Sequence, residues 1–421
     1  MNNYTFSIIT PTHSINNIPY LTELFLSINA QTYDNWEWVL LLNGEILKKN
    51  IPSIIANHPK VRILRYDGDN KNVGFLKQRA FKAGIGDILV EVDHDDLLIE
   101  TCLEKLNQAY QNKQYGFVFS DNALYHMKED PLPFNEAFGW THKHFKFRDK
   151  LLISMDSFEP TSHSVGYIWY APDHVRSWRR EIYYDIGGHN PDLSICDDHE
   201  LLLRTFLKTK FLRIPEVLYI YRITGDNTWL ERNQQIQTTT VQLFNQYAQQ
   251  IAEKEADDLG LLKVDIGGGI NGRPGYLTID QQDADINCDL NKGIPLEDNS
   301  VYVLNASHVI EHLNDKTFTM KEIHRVLAHG GWAFIEVPST DGRGAFQDPT
   351  HVSYWNENSF LYYTNGYLGN FIRNKDIKFQ EFRRETWFPN QWLKNLNVCV
   401  TTWWGVANKP GGKRLPHRLE I

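Results

Sequence analysis

The chain has 421 residues, enough for two or three domains, each with its own core. Its 43 Lys and Arg against 52 Asp and Glu give a net charge of −9, so the average surface repels polyphosphate and no nucleic-acid partner is expected. A 13% aromatic share, with 12 Trp, suits core filling and equally suits stacking on flat ligands such as sugars and bases.

In chain order, Thr5 to Thr10 reads as a strand that stops at Pro11. Leu21, Leu24, Phe25 and Ile28 have the spacing of one helix face. Glu37 to Leu42 is a second strand ending at Asn43-Gly44, and Val61 to Tyr66 a third. Phe75 to Ala83 reads as a helix. Ile88 to Val92 is a buried strand that delivers Asp93-His94-Asp95-Asp96 at its C-terminal end, the edge where open α/β sheets bind ligands. The alternation predicts a parallel sheet covered by helices. From Trp229 to Asp258 the chain is Gln-rich, without Gly or Pro, and carries apolar residues at helical intervals, so a connecting helix is expected. A new strand, Leu261 to Ile266, then opens a second β/α series. The expected division is residues 1–230, a connecting helix over 231–258, and a second domain over 259–421. The strand-like runs Lys378 to Trp387 and Asn397 to Trp404 are close enough to pair antiparallel at a sheet edge, and Lys409 to Arg414 reads as a loop.

Cys102, Cys196, Cys288 and Cys399 lie far apart, with no CxxC pair, so no disulfide framework or zinc knuckle is expected. The N-terminal stretch lacks a basic region, and no run of about 18 apolar residues occurs. A cytoplasmic protein is expected, with room for peripheral contact with a membrane surface.

Carboxylates crowded at one strand end raise each other's pKa unless a cation joins them. Mg²⁺ or Mn²⁺ suits that task, taking carboxylates together with substrate phosphates. Asp197 and Asp198, before the apolar run Leu201 to Leu207, have the composition of a helix start and could simply cap it. Taken together, Ser7-Ile8-Ile9-Thr10-Pro11-Thr12, Trp36 to Gly44, Asn72-Val73-Gly74 with Arg79, Asp93 to Asp96, Ile186-Gly187-Gly188-His189 and Asp197-Asp198-His199-Glu200-Leu201 resemble the family 2 nucleotide-sugar glycosyltransferases of the GT-A fold. The resemblance spans the first 230 residues. It implies nucleotide-sugar contacts at Pro11, Thr12, Asn43, Asn72, Arg79 and Asp93, and metal ligands at Asp93 and Asp95. It also implies a catalytic base at Asp198 and transfer with inversion. Two departures stand out: Leu42-Asn43 where the family often has an acidic pair, and Thr224 where it often has histidine after Tyr221-Arg222.

In the second half Gly267, Gly269 and Gly272 form G-x-G-x-x-G after a strand, where missing side chains let backbone N–H groups approach a cofactor. Asp280 follows too soon for a dinucleotide site, and Pro274-Gly275 leaves little room for a full helix, which disfavours NAD. Val264 to Gly269, Asp280, Asp289-Leu290-Asn291, Asn305 to Leu313 and Glu322 to Leu327 with Gly330-Gly331 resemble class I S-adenosylmethionine methyltransferases of Rossmann-like fold. That resemblance implies cofactor contacts at Asp265, Gly267, Gly269, Asp280, Asp289 and Ser307. Methyl transfer to a hydroxyl needs a base, and histidine suits it near neutral pH. His308, His312 and His351 are the candidates, each also readable as a structural histidine. His308 and His312 have a zinc-like spacing, but Glu311 is misplaced for HExxH and no third ligand is evident.

The expectation is therefore an α/β chain with a GT-A domain followed by a methyltransferase domain. Its cofactors would be Mn²⁺ or Mg²⁺ and S-adenosylmethionine. It would pass a sugar from a nucleotide-sugar donor to a glycan or glycoconjugate acceptor and methylate a sugar hydroxyl. The alternatives are that one domain is catalytic and the other a docking module, or that both clefts only recognise carbohydrate.

Overall fold

The computed structural model describes residues 2–127, 139–225, 227–413 and Leu415. Two compact units divide between Ile251 and Ala252, inside the helix Asn233–Leu259.

In the first unit the strands are β1 (Phe6–Thr12), β2 (Trp36–Leu42), β3 (Val61–Arg65), β4 (Ile88–Glu91), β5 (Leu97–Leu98), β6 (Tyr115–His126), β7 (Thr141–Phe147), β8 (Lys150–Asp156), β9 (Arg176–Arg179) and β10 (Lys210–Ile223). Their order is β3-β2-β1-β4-β9-β6-β10-β5, with the β7–β8 hairpin against β6. The pairs β3–β2, β2–β1 and β1–β4 are parallel, and β9 runs antiparallel between β4 and β6. Central strands of such a sheet are covered on both faces, which is why β2 is apolar at six of its seven positions and buried throughout. Alternate residues feed two cores. Ile8, Leu40 and Val90 meet Leu21, Leu24, Phe25 and Ile28 on one face, while Ile9, Val39 and Leu89 meet Leu76, Phe81 and Leu202 on the other.

The second unit contains β11 (Leu262–Ile266), β12 (Leu277–Asp280), β13 (Ile286–Asn287), β14 (Val301–Ser307), β15 (Leu327–Pro338), β16 (Phe379–Trp387) and β17 (Val400–Ala407). The order is β13-β12-β11-β14-β15-β17-β16, parallel as far as β15 and antiparallel beyond it. The two C-terminal runs do pair, but β17 also pairs with β15, so of these two only β16 lies at an edge. Between β11 and β12 lies one 3₁₀ turn, Gly269–Asn271, in place of a full helix. The polar run after Trp229 forms a short helix, Thr228–Glu231, and then the long one. All four cysteines are free. Among the described residues no helix is long and apolar enough to cross a membrane. Lys409 to Lys413 carries no helix or strand, and Arg414 lies outside the described residues.

Candidate functional site

In the first unit the C-terminal ends of β1, β2 and β4 lie side by side. The backbone N–H of Asn43 donates to the Thr12 carbonyl at 2.9 Å, which keeps the ends of β1 and β2 together beside Pro11. His13 and His94 meet edge to face with ring centres 6.0 Å apart, linking the β1 end to the acidic segment after β4. Within that segment Asp96 is buried and accepts from the Tyr219 hydroxyl and the Arg222 N–H, each at 2.7 Å. Burial and the charges of Asp95 and Asp93 push its carboxyl well above the usual range. Asp93 and Asp95 stay partly exposed at the strand end. Their two carboxylates fit a hard divalent ion that draws its remaining oxygens from a substrate.

Behind this edge lies a buried charge network that begins at Glu91, two residues before Asp93. Because β9 is antiparallel to β4, Arg176 stands in register with Glu91, its guanidinium 4.0 Å from that carboxylate. Arg176 donates to Asp198 at 2.6 Å. Lys77 reaches Glu91 at 2.5 Å and lies 3.9 Å from Asp197, while His189 approaches Asp197 at 3.7 Å. Burial would raise Asp198, yet the Arg176 and Lys77 charges with hydrogen bonds from Arg176 and the His199 N–H hold it well below the carboxylate range. Asp197 behaves oppositely: burial, only partly countered by Lys77 and reinforced by Asp198 and Glu91, raises it to about 7. The side chain of Asp198 is 19% exposed and that of Asp197 only 5%, so Asp198 is the one a substrate can reach.

Neither aspartate caps its helix. The helix is Asp197–Lys208, Cys196 occupies the cap position without a side-chain hydrogen bond, and the aspartates form the first turn, where the positive end of the helix dipole favours anions. Asn72 stands just before the helix Val73–Phe81. That helix turns Arg79 outward, 5.2 Å from the Tyr66 ring centre, and Lys77 inward.

In the second unit Asp265, Gly267, Gly269, Asp280, Asp289 and Ser307 all lie at or beyond the C-terminal ends of β11, β12, β13 and β14. The φ angle of Gly267 is +75°, and a Cβ there would sit 2.5 Å from the Val309 side chain. A Cβ on Gly269, at φ +47°, would stand 3.2 Å from an Asp280 carboxylate oxygen, in the space before that acid. The bare turn and Asp280 thus fit a ligand with vicinal hydroxyls. An open cavity of about 360 Å³ adjoins it, lined by Gln281, Gln282, Asn287, Cys288 and Asp289. Asp265 accepts from the Arg273 N–H at 2.9 Å, and Asp289 from that of Asn291 at 3.1 Å. Asn305, in register with Asp265, is buried with neither amide atom hydrogen-bonded.

Ser307 ends β14 and donates to Glu336 at 3.2 Å. His308, half-exposed at φ +54°, follows it with Nδ1 3.6 Å from Glu311. Interaction with Glu311 raises the His308 pKa, against burial. His312 and His351 gather at the same place, ring centres 5.0 Å apart. All three candidate histidines thus converge around Glu311.

Residues 7–168 match the model of glycosyl transferase family 2, and residues 269–335 match that of a methyltransferase domain. The chain therefore carries a segment of glycosyl transferase family 2 followed by a methyltransferase-domain segment. The uncharacterized protein MT1568 of Mycobacterium tuberculosis is 23% identical over 171 residues, 40% of this chain. Those residues are 51% of that relative, so the chain spans about half its length. Among solved structures, Staphylococcus aureus TarS 1–349 with UDP-GlcNAc aligns at TM-score 0.41 and 14% identity, over 58% of this chain and 72% of that one. The Pyrobaculum calidifontis mannosyltransferase PcManGT, with GDP-Man and Mn²⁺, aligns at 0.39 and 13%, over 62% and 65%.

Lys77, Glu91, Arg176, Asn305 and Glu311 are site residues that sequence reasoning passed over. A charge inside an apolar run, as in Ile88-Leu89-Val90-Glu91, was the available signal, since a buried charge requires a partner.

Proposed function

We propose that the two units act in sequence on one glycan: the first transfers a sugar from a nucleotide-sugar donor with inversion, and the second methylates a sugar hydroxyl. The observation that carries the reading is Asp198, the partly exposed member of an otherwise buried charge network whose other end, Glu91, leads directly into Asp93 and Asp95.

In the first unit Asp198 takes the acceptor hydroxyl proton, and Arg176 holds its carboxylate toward the cleft. Asp93 and Asp95 would hold Mn²⁺ or Mg²⁺, which supplies positive charge to the departing diphosphate. Pro11, Thr12 and Asn43 shape the nucleotide side, with Asn72 and Arg79 nearby. Attack by the acceptor oxygen opposite the leaving diphosphate inverts the anomeric carbon.

In the second unit Asp280 would accept hydrogen bonds from the ribose hydroxyls of S-adenosylmethionine, whose sulfonium would supply the activated methyl group. Gly267 and Gly269 leave room for the cofactor along the turn. His308, backed by Glu311, takes the hydroxyl proton, and the side chains around it align the acceptor oxygen with the methyl carbon.

The test is to incubate the full chain with Mn²⁺, a panel of nucleotide sugars, glycan acceptors and S-adenosylmethionine, and to weigh the products. A product carrying one added sugar and one added methyl group is expected. Sugar addition without methylation in every combination would refute consecutive action.

A further inference from the structure

We propose that Glu311, His312 and His351 form a site for a divalent first-row transition ion, with open coordination positions facing the methyl-transfer cleft. The three side chains present one donor atom each within 4.8 Å of one another. Two imidazoles and a carboxylate are a donor set that holds Zn²⁺ in catalytic sites while leaving a position free.

Three observations point to a cation. First, the Glu311 side chain is only 2% exposed, and neither of its carboxylate oxygens has a hydrogen-bond partner. A buried carboxylate left so is costly unless a positive charge joins it, and His308, 3.6 Å away, approaches only one of its two oxygens. Second, the His351 Nδ1–H donates to the Ala345 carbonyl at 2.9 Å. A carbonyl can only accept, so this bond leaves the lone pair on Nε2, which lies 4.0 Å from Glu311. Third, His312 is held the same way, its Nδ1–H directed to the Thr350 carbonyl at 3.1 Å. Such carbonyl contacts orient metal-binding imidazoles and set their tautomer.

The segment Asp348–Ser353 that carries His351 is itself anchored on the Glu311 backbone: the Val352 and Ser353 N–H groups donate to its carbonyl at 3.0 and 2.9 Å. Tetrahedral zinc places its donors about 3.4 Å apart, from bond lengths near 2.0 Å. No two donors lie farther apart than 4.8 Å, so reaching that spacing shortens each separation by no more than about 1.4 Å. Asp348, 3.9 Å from His351 Nε2, stands at the rim as a further oxygen donor.

The position of the site suggests its use, and this part rests on the methyl-transfer reading above. Glu311 sits four residues beyond Ser307, at the β14 end nearest the Gly267 turn through Val309. An acceptor hydroxyl on the ion is acidified. Its proton passes to His308, its oxygen lone pair forms the new C–O bond, and the S–CH₃ bond breaks with its electron pair left on sulfur.

The test uses the full chain carrying Asp95→Ala, so that the first unit does not contribute an ion, after removal of metals with a chelator. Titration with Zn²⁺ should show one tight site, and Co²⁺ should give the intense visible bands of a low-symmetry, four- or five-coordinate site. Glu311→Gln and His351→Gln should each weaken Zn²⁺ at least tenfold. His312→Gln, at a partly buried position, should do the same with an unchanged circular dichroism spectrum. Acetohydroxamate should shift the Co²⁺ bands by occupying the open positions. No Zn²⁺ site in the folded protein, or equal affinity in all three variants, overturns the proposal; Co²⁺ bands indifferent to acetohydroxamate overturn the open position. S-adenosylmethionine binding is measured separately: its absence beside a Zn²⁺ site sinks the methyl-transfer reading alone, and its presence without Zn²⁺ sinks the metal site alone.

Discussion

Replacing Asp197 and Asp198 by asparagine, one at a time, should move the stability of the first unit in opposite directions. Asp198 is ionised against Arg176, and its folded pKa lies below the ordinary value. Its contribution is therefore present above pH 4 and lost on acidification. Asp198→Asn takes from the buried Arg176 the acid that bonds it directly and leaves it the charges of Glu91 and Asp173, and breaking such a pair costs about 3–5 kcal/mol. Asp197 titrates near pH 7, so the native state resists ionising it while the unfolded chain does not. That penalty grows as pH rises from about 4 through 7 and is on the order of 2–4 kcal/mol at pH 8. Asp197→Asn removes it. For a unit of this size the two changes correspond to melting shifts of roughly 5 °C or more, upward for Asp197→Asn and downward for Asp198→Asn. Calorimetry at pH 8 and again at pH 5 checks both the signs and the pH dependence: the gain from Asp197→Asn should shrink toward zero at the lower pH. Equal destabilisation by both variants at pH 8 would refute the assignment of charge within the network. Activity adds a second axis, since loss of a general base costs about 10²–10⁴ in rate. Only Asp198→Asn should show that loss with donor binding retained.

Asp95→Ala should abolish Mn²⁺-dependent binding of a nucleoside diphosphate and leave S-adenosylmethionine binding intact, as titration calorimetry with each ligand will show; unchanged diphosphate affinity would remove Asp95 from the ion site. Asp280→Ala should weaken S-adenosylmethionine by roughly 1.5–3 kcal/mol, the scale of a charged hydrogen bond, with sugar transfer unaffected. His324 is held near pKa 4 by burial and by the Lys409 charge. Since the unfolded imidazole takes up a proton below about pH 6.5, the second unit should lose up to ~3 kcal/mol between pH 6.5 and 4. His324→Gln should flatten that slope in denaturant melts, and an unchanged slope would show that His324 is not its source.

The parallel strands were legible because a strand covered on both faces must be apolar at nearly every position, as Trp36 to Leu42 is. Strand β9 was not. Its sequence, Arg-Ser-Trp-Arg, carries no such signature, because its two arginines are buried by long-range partners: Asp198 and Glu91 for Arg176, and backbone carbonyls near Tyr110 and Tyr115 for Arg179. The helix face was legible at Leu21, Leu24, Phe25 and Ile28, whereas Lys77 was hidden on the buried face of its helix beside Leu76 and Phe81. A charge enters such a face only with its partner, and here the partner comes from a strand end that local periodicity does not describe.

The same limit explains Glu311. Spacing reveals a metal site when its donors sit on one element, as two histidines one helical turn apart do. Here the candidate donors come from a 3₁₀ turn, Ile310–His312, and from a loop some forty residues later, and the backbone bonds from Val352 and Ser353 to Glu311 are what unite them. Spacing alone therefore singled out His308 with His312, the pair that shares a segment. Geometry selects His312 with His351, because those two imidazoles each give one nitrogen to a backbone carbonyl and keep the other free beside an unpartnered carboxylate. The His308 imidazole leans toward Glu311 from the side of Ser307, which leaves it for proton transfer.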